Sequence, residues 1–163
     1  MQAAVFLPER GIVMYCDDLA TPLGLLRVVS NGEAICAVKV VEKPAERCPD
    51  ALVRQACREL QEYFAGARQR FDLPLDPAGT PFQKSVWRAL TAVGWGSTTT
   101  YGALAAASGH PGAARAVGSA MRANPILILI PCHRVLARTS LGGFALGPDR
   151  KRLLLTLEGH ICE

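Results

Sequence analysis

Pro131-Cys132-His133-Arg134-Val135 is the stretch of this chain best equipped for covalent chemistry. Thiolate, not thiol, is the nucleophile; a free thiol ionises near about pH 8.5, and an adjacent imidazole in cationic surroundings makes ionisation easier. Residues adjacent in a strand point to opposite faces, so Cys132 and His133 cooperate only if the chain turns at Pro131 or a water bridges them. The spacing suggests a helix start at this point, which would turn a positive dipole end toward the sulfur. A Cys-His dipeptide also occurs by chance, so a purely structural pair stays open at this level. The other cysteines, Cys16, Cys36, Cys48, Cys57 and Cys162, form no CxxC or CxxH pair and read as packing thiols rather than metal ligands.

A second chemical feature lies just upstream. Over residues 113–123 a helix is expected in which Arg115, Ser119 and Arg122 fall on one face at i, i+4 and i+7, while Val117 and Met121 share the opposing one. Ala116, Gly118 and Ala120 are small for an exposed helix, and glycine costs about 1 kcal/mol of helix propensity relative to alanine. Something must approach that backbone closely. Tight packing within the domain and insertion into a nucleic-acid groove both account for it.

These residues need a scaffold to place them. Residues 25–29 and 34–41 are apolar and β-branched, separated by Ser30-Asn31-Gly32-Glu33, and predict a hairpin. Asp50 is placed to cap a helix carrying Leu52, Val53, Ala56, Leu60, Tyr63 and Phe64, ending at Gly66. Residues 71–81, with Pro74, Pro77, Gly79 and Pro81, read as an interdomain linker. Beyond it the pattern is nearly all helical. Thr80-Pro81 opens a helix with Phe82, Val86, Leu90 and Val93 on one side, and Thr100 caps a short helix through Ala107. Gly109 and Gly112 supply a turn before the Arg115 helix, a helix-turn-helix outline. A last helix over residues 149–158 would bury Leu153, Leu154 and Leu157. The apolar run Ile126 to Ile130, boxed by Pro125 and Pro131, must be buried in extended or turn geometry.

The 163 residues are 50% hydrophobic and 20% charged, which excludes disorder, collagen and coiled coil. No apolar run approaches the ~20 residues that span a bilayer. The N-terminal MQAAVFLPERG lacks a basic start and an apolar core, so a cytoplasmic protein is expected. From Thr80 onward nine basic residues face three acidic ones, whereas the first 79 residues hold nine basic and eleven acidic. A polyanion should meet the C-terminal half.

The stretch PCHRV, preceded by ILILI and RAVGSAMRANP and followed by a Gly-Gly-Phe loop and KRLLLTLEGH, resembles the O6-alkylguanine-DNA alkyltransferases, also called methylated-DNA–protein-cysteine methyltransferases. TPFQKSVWRAL and TYGALA appear in family order, so the resemblance spans Thr80 to His160; the N-terminal half matches weakly, through TPLGLLRV. The resemblance implies an α/β N-terminal domain with a small antiparallel sheet (residues 1–75). It also implies a mostly helical, winged-helix-like C-terminal domain holding the helix-turn-helix and the active site (residues 76–163). It implies that Cys132 accepts an alkyl group from O6-alkylguanine in double-stranded DNA, once per molecule and without a cofactor. His133 would be the water-linked base, Glu158 the carboxylate orienting it, and Asn124 the hinge between recognition helix and active-site strand. Tyr101 would protonate the leaving guanine, and Arg115 would fill the stack after the nucleotide flips out. Ser119, Arg122, Ala116, Gly118 and Thr100 would meet DNA, and Phe144, Ala145, Leu146, Pro131, Val135 and Met121 would wall the lesion pocket. A monomer without an obligate protein partner or metal is expected, and O4-alkylthymine as a second substrate is left open.

The chain departs from the family pattern between Arg134 and Glu158, where it is about one residue shorter. Phe144 stands where tyrosine is expected, Ala145 where some members carry a hydroxyl, and Leu146 where some carry glycine. These substitutions predict a tighter pocket that favours methyl over large aralkyl groups. A non-catalytic lesion-binding module would lack the reactive cysteine, a cysteine hydrolase would need an oxyanion hole, and a transcription factor would leave PCHRV without a purpose.

Overall fold

The computed structural model describes residues 5–7 and 12–160. Cys162 and most of the N-terminal MQAAVFLPERG lie outside them. The chain divides into two compact units, Met1–Pro77 and Ala78–Glu163.

The first unit is a four-stranded antiparallel sheet in the order β1 (Val5–Leu7), β2 (Ile12–Thr21), β3 (Gly24–Ser30), β4 (Ile35–Val41), followed by helix α1 (Ala51–Phe64). The expected hairpin is β3–β4. Its turn is closed by Asn31 Oδ1, which accepts from the backbone amides of Glu33 and Ala34 at 2.9 Å. Leu26, Val28 and Ser30 alternate into the interior along β3, as one buried face requires. Val53, Ala56, Leu60 and Tyr63 form the buried stripe of α1, which packs on β2 and β3. Asp50 caps this helix by accepting from Val53 N at 2.8 Å, and its other oxygen satisfies the buried Ser30 hydroxyl.

Three expectations change here. Strands β1 and β2 were not anticipated. In β2, Asp17 is buried where an apolar residue would signal a strand, and it is tolerated because Arg47 grips its carboxylate at 2.8 and 2.9 Å. Residues 71–81 are not wholly a linker either: Ile35 N donates to Pro74 O and Asp76 N to Ile35 O, so Leu75 bridges the edge of β4 in parallel. Prolines at 74 and 77 still permit this, since the bonds use only the Pro74 carbonyl and the Asp76 amide. Cys16 and Cys48 are buried thiols as expected, but Cys36 and Cys57 are only part-buried.

In the second unit, helix α2 (Pro81–Thr91) begins with a complete capping box: Thr80 Oγ1 accepts from Gln83 N, and Gln83 Oε1 accepts from Thr80 N. Its buried side chains are Val86, Trp87 and Leu90, and Trp87 Nε1 donates to Ala120 O at 2.9 Å. That bond satisfies one of the carbonyls exposed at the end of the following helices. Helix α3 (Tyr101–Ala107) is capped by Thr100, and α4 (Ala114–Arg122) follows a turn in which Gly109 and Gly112 take positive φ. The unit is not all helix. Two residue pairs, β5 (Thr99–Thr100) and β6 (Val135–Leu136), form a short parallel ladder too brief for any periodicity to announce.

The last helix, α5 (Pro148–Leu157), shows a different face from the one expected. Lys151, Leu154 and Leu155 are buried on it with Glu158 just beyond, while Leu153 and Leu157 are only part-buried. Two charged residues occupy the core-facing stripe, so reading apolar residues alone rotates the helix. No helix among the described residues is long and apolar enough to cross a membrane.

Candidate active site

Cys132 is mounted on a turn that the sequence builds tightly. Residues 126–130 are all buried, but they form no strand: Ile130 N donates to Ile126 O, Leu129 N to Leu127 O, and Ile128 takes φ +71°. A β-branched residue in that region is an outlier that costs about 1–3 kcal/mol. Asn124 holds it in place, its Oδ1 accepting from Ile126 N at 2.9 Å and its Nδ2 donating to Ile130 O at 2.8 Å. The expected active-site strand is therefore a clamped turn, because Asn124 satisfies from within the turn the groups a strand partner would otherwise take.

The expected helix start at Cys132 is a single 3-10 turn, Cys132–Arg134. Three residues carry little macrodipole, so the sulfur gains little from that source. Burial pushes the Cys132 thiol up, against a hydrogen bond from Asn124 and the positive charge of Lys151. The turn does bring Cys132, His133 and Arg134 into the interior together.

Behind the sulfur lies a buried ionic network. Glu158 Oε1 accepts from His133 Nε2 at 2.7 Å, and Arg134 forks onto the same carboxylate with Nε at 2.9 Å and Nη2 at 2.8 Å. Arg134 Nη1 donates to Val93 O. Burial would raise the Glu158 carboxyl, but the hydrogen bonds and charges of His133 and Arg134 outweigh it and hold it at about 2. Burial also lowers His133 below its ordinary 6.5, with Arg134 and Lys151 adding to that and Glu158 opposing it. The imidazole is therefore neutral near pH 7, with its proton on Nε2 facing the carboxylate. Nδ1 is left as a buried acceptor that has no protein partner among the described residues.

These two shifts share a sign. Each group in the fold sits below its unfolded value, so the unfolded chain binds protons that the fold refuses, and acid removes stability. Stability is expected to fall first as pH drops below 6.5, where unfolded His133 charges, and again between 4.5 and about 2, where unfolded Glu158 neutralises. Urea midpoints measured against pH check this: a midpoint unchanged from about pH 7 to pH 3 would contradict the buried network.

Cys132 is 4% exposed, and it lines a cavity of about 350 Å³. Tyr101, Gly118, Met121, Arg122, Gly143, Phe144 and Ala145 line that cavity with it. Tyr101 Oη reaches Gly143 O at 3.5 Å. Three residues expected in the wall do not line it. Pro131 caps the 3-10 turn, Val135 is fully buried and paired with Thr99, and Leu146 lies in the turn closed by Gly147 N on Phe144 O.

On α4, Arg115, Ala116, Ser119 and Arg122 are exposed and Gly118 is half-buried, so the cationic face stands beside the cavity mouth. Ser119 Oγ turns back to Arg115 O, and the Thr100 hydroxyl is engaged by Ala103 N. Ala120, by contrast, is buried within the unit. Arg134, Lys151 and Gly143 are site residues that the sequence reading missed. Arg134 and Lys151 entered only in the count of nine basic residues from Thr80 onward, and only the stripe at i, i+3 and i+7 ending on Glu158 hinted at Lys151. Among the described residues no three His, Cys, Asp or Glu side chains gather as metal ligands would.

A family profile described as the 6-O-methylguanine DNA methyltransferase DNA binding domain matches residues 81–160. Another, the ribonuclease-like domain of the same methyltransferase, matches residues 14–77. The methylated-DNA–protein-cysteine methyltransferase of Methanosarcina acetivorans is 44% identical over 154 residues, 90% of this chain and 99% of that protein. Its Mycobacterium leprae counterpart is 38% identical over 155 residues, 91% and 94% of the two chains. The crystal structure of Mycobacterium tuberculosis O6-methylguanine methyltransferase aligns with a TM-score of 0.80 at 39% identity, covering 89% of this chain and 92% of that one. A structure of the Mycobacterium tuberculosis protein in complex with DNA aligns equally well, with a TM-score of 0.80 at 40% identity over 88% and 92% of the chains.

Proposed function

Since the chain belongs to the 6-O-methylguanine DNA methyltransferase family, we propose that it repairs DNA by moving the alkyl group of O6-alkylguanine onto Cys132. The observation that carries this reading is a buried thiol that opens onto a cavity of about 350 Å³, whose lining includes Arg122 of the cationic helix α4. The Mycobacterium tuberculosis structure in complex with DNA supports DNA as the partner.

The lesion sits at a base edge inside the helix, out of reach of a short side chain in a buried turn, so the nucleotide must leave the stack. In this reading α3 and α4 act as a helix-turn-helix, with α4 pressed against the duplex where Ala116 and Gly118 let its backbone approach. Arg115 enters the gap, while Arg122, Ser119 and the Thr100 end of α3 meet the backbone, offsetting an extrusion cost of a few kcal/mol. The thiol proton passes through a water to His133 Nδ1, whose other nitrogen Glu158 holds protonated. The Cys132 sulfur then attacks the alkyl carbon, the bond from carbon to O6 breaks, and its electron pair leaves on guanine. Tyr101 donates a proton to the departing base, and the proton taken from the thiol, released by His133 to water, makes good the one Tyr101 gave up. The product is a thioether and unmodified guanine. Nothing in the site can cleave the thioether, so each molecule acts once.

Incubation with a duplex containing O6-methylguanine, followed by mass spectrometry, tests the reading. The peptide carrying Cys132 should gain one CH2 and no more; an unmodified protein still bound to the duplex would mean a lesion-binding module instead.

Phe144 narrows one wall without offering the hydroxyl of a tyrosine, whereas Leu146 lies outside the lining and adds nothing to the narrowing. Methyl is therefore expected to transfer at least about tenfold faster than benzyl, the scale on which an apolar pocket discriminates by size. Equal rates on methylated and benzylated guanine would overturn this.

A further inference from the structure

Lys151 is fully buried on α5, an unusual place for an ammonium, since moving one out of water costs several kcal/mol unless its protons are taken up. Its Nζ donates to Val135 O at 2.6 Å and to Gly143 O at 2.9 Å. These two carbonyls belong to different parts of the site. Val135 directly follows the 3-10 turn that carries Cys132, and Gly143 is in the loop that forms the cavity lip with Phe144 and Ala145. Gly143 O is also the atom that Tyr101 Oη approaches. The loop has little freedom next to it: a Cβ on Gly142 would come within 3.0 Å of both Ala137 N and Tyr101 Oη. A single ammonium thus joins the turn holding the nucleophile to the lip holding the substrate.

The same charge reaches the reacting groups. Cys132 shares its cavity with Tyr101 and Arg122, and the Asn124 side chain and the charge of Lys151 act on it as well; His133 feels Glu158, Arg134 and Lys151. Of the cations near the sulfur, Arg122 is solvent-exposed at the cavity and Arg134 is turned onto Glu158, while the 3-10 turn is too short to carry much dipole; Lys151 is the buried cation whose charge favours the thiolate. We propose that Lys151 is a positioning residue that fixes the cavity lip relative to the Cys132 turn and supplies the positive charge beside which the Cys132 thiolate forms. The proposal rests on the alkyl-transfer reading for its purpose, though its electrostatic half concerns the thiol alone.

The test uses Lys151→Gln in the full chain, checked for folding by circular dichroism. Three quantities are compared with wild type: duplex affinity, the single-turnover rate of methyl transfer, and the pH profile of Cys132 alkylation by iodoacetamide, followed on its own peptide. Affinity should stay within about twofold, since the DNA-facing cations are elsewhere. The transfer rate should fall about 100-fold, as when one preorganised charge or donor is removed. The iodoacetamide profile should move to higher pH, which loss of packing alone would not produce. A variant with wild-type rate and wild-type profile overturns the proposal. If Lys151→Gln does not fold, wild type labelled with 13C at lysine Cε serves instead. The buried lysine resonance should shift when Cys132 is methylated and the sulfur loses its capacity for charge, and an unmoved resonance overturns the proposal. Failure of wild type to accept methyl from DNA would sink the repair reading, while the iodoacetamide profile would still judge Lys151.

Discussion

Cys132→Ala will take no methyl group from a methylated duplex, yet it will bind that duplex as tightly as wild type. The two halves of this expectation have separate physical grounds. Transfer needs a nucleophile facing the cavity, and among the residues lining it Cys132 alone carries a thiol; without the sulfur the rate should drop below detection, since no neighbouring group can form the bond. In the proposed function binding relies on α4, whose exposed Arg115 and Arg122 are untouched by the substitution. The missing sulfur leaves a void smaller than a methylene or two, which costs about 1–2 kcal/mol of stability and leaves the helix in place. Binding of both proteins should weaken in parallel as salt rises, because phosphate contacts release counterions. A mass shift on the variant after incubation with the duplex would remove Cys132 from the centre of the mechanism. A large loss of affinity would instead mean that the sulfur helps hold the extruded base.

What could be read from the sequence was what is local. Asp50, Thr80 and Thr100 each cap the helix they were expected to cap, because a cap depends on a side chain and an amide two or three residues away. The cationic face of α4 needed only helical spacing. What escaped was fixed by partners far along the chain. Strand β2 is disguised by Asp17, which is acceptable inside only because Arg47, thirty residues on, pairs with it. The facing of α5 is disguised by Lys151 and Glu158, whose reasons for burial are Val135, Gly143, His133 and Arg134. Residues 126–130 were left between extended and turn geometry, and the left-handed Ile128 could not be foreseen, since an isoleucine at φ +71° contradicts its own propensity and is held by the Asn124 clamp. PCHRV marked the cysteine proposed as nucleophile; the ionic network behind it became visible only once the chain was folded.

That network sets the second large effect. Glu158→Gln should slow methyl transfer by the folded protein about 1,000-fold, on the precedent of amide substitutions that misorient a catalytic histidine, and should also destabilise it by about 3–5 kcal/mol. In wild type the carboxylate accepts hydrogen bonds from His133 Nε2 and from both Nε and Nη2 of Arg134. A carboxamide has one oxygen to offer and turns its NH2 toward donors. If the oxygen faces Arg134, the NH2 confronts His133 Nε2, which then lowers its energy by giving up its proton and becoming an acceptor. The imidazole proton moves to Nδ1, and the nitrogen that should take the proton of the thiol can no longer accept it. If the oxygen faces His133 instead, Arg134 remains a buried cation with its counterion gone, and the fold bears the larger penalty. Either arrangement also removes the lower acid transition, because no carboxylate is left to titrate between 4.5 and about 2. Rates measured per folded molecule separate these effects from simple unfolding. A Glu158→Gln protein that melts early but transfers methyl at the wild-type rate while folded would show that Glu158 holds the structure together and leaves the histidine's proton unaffected.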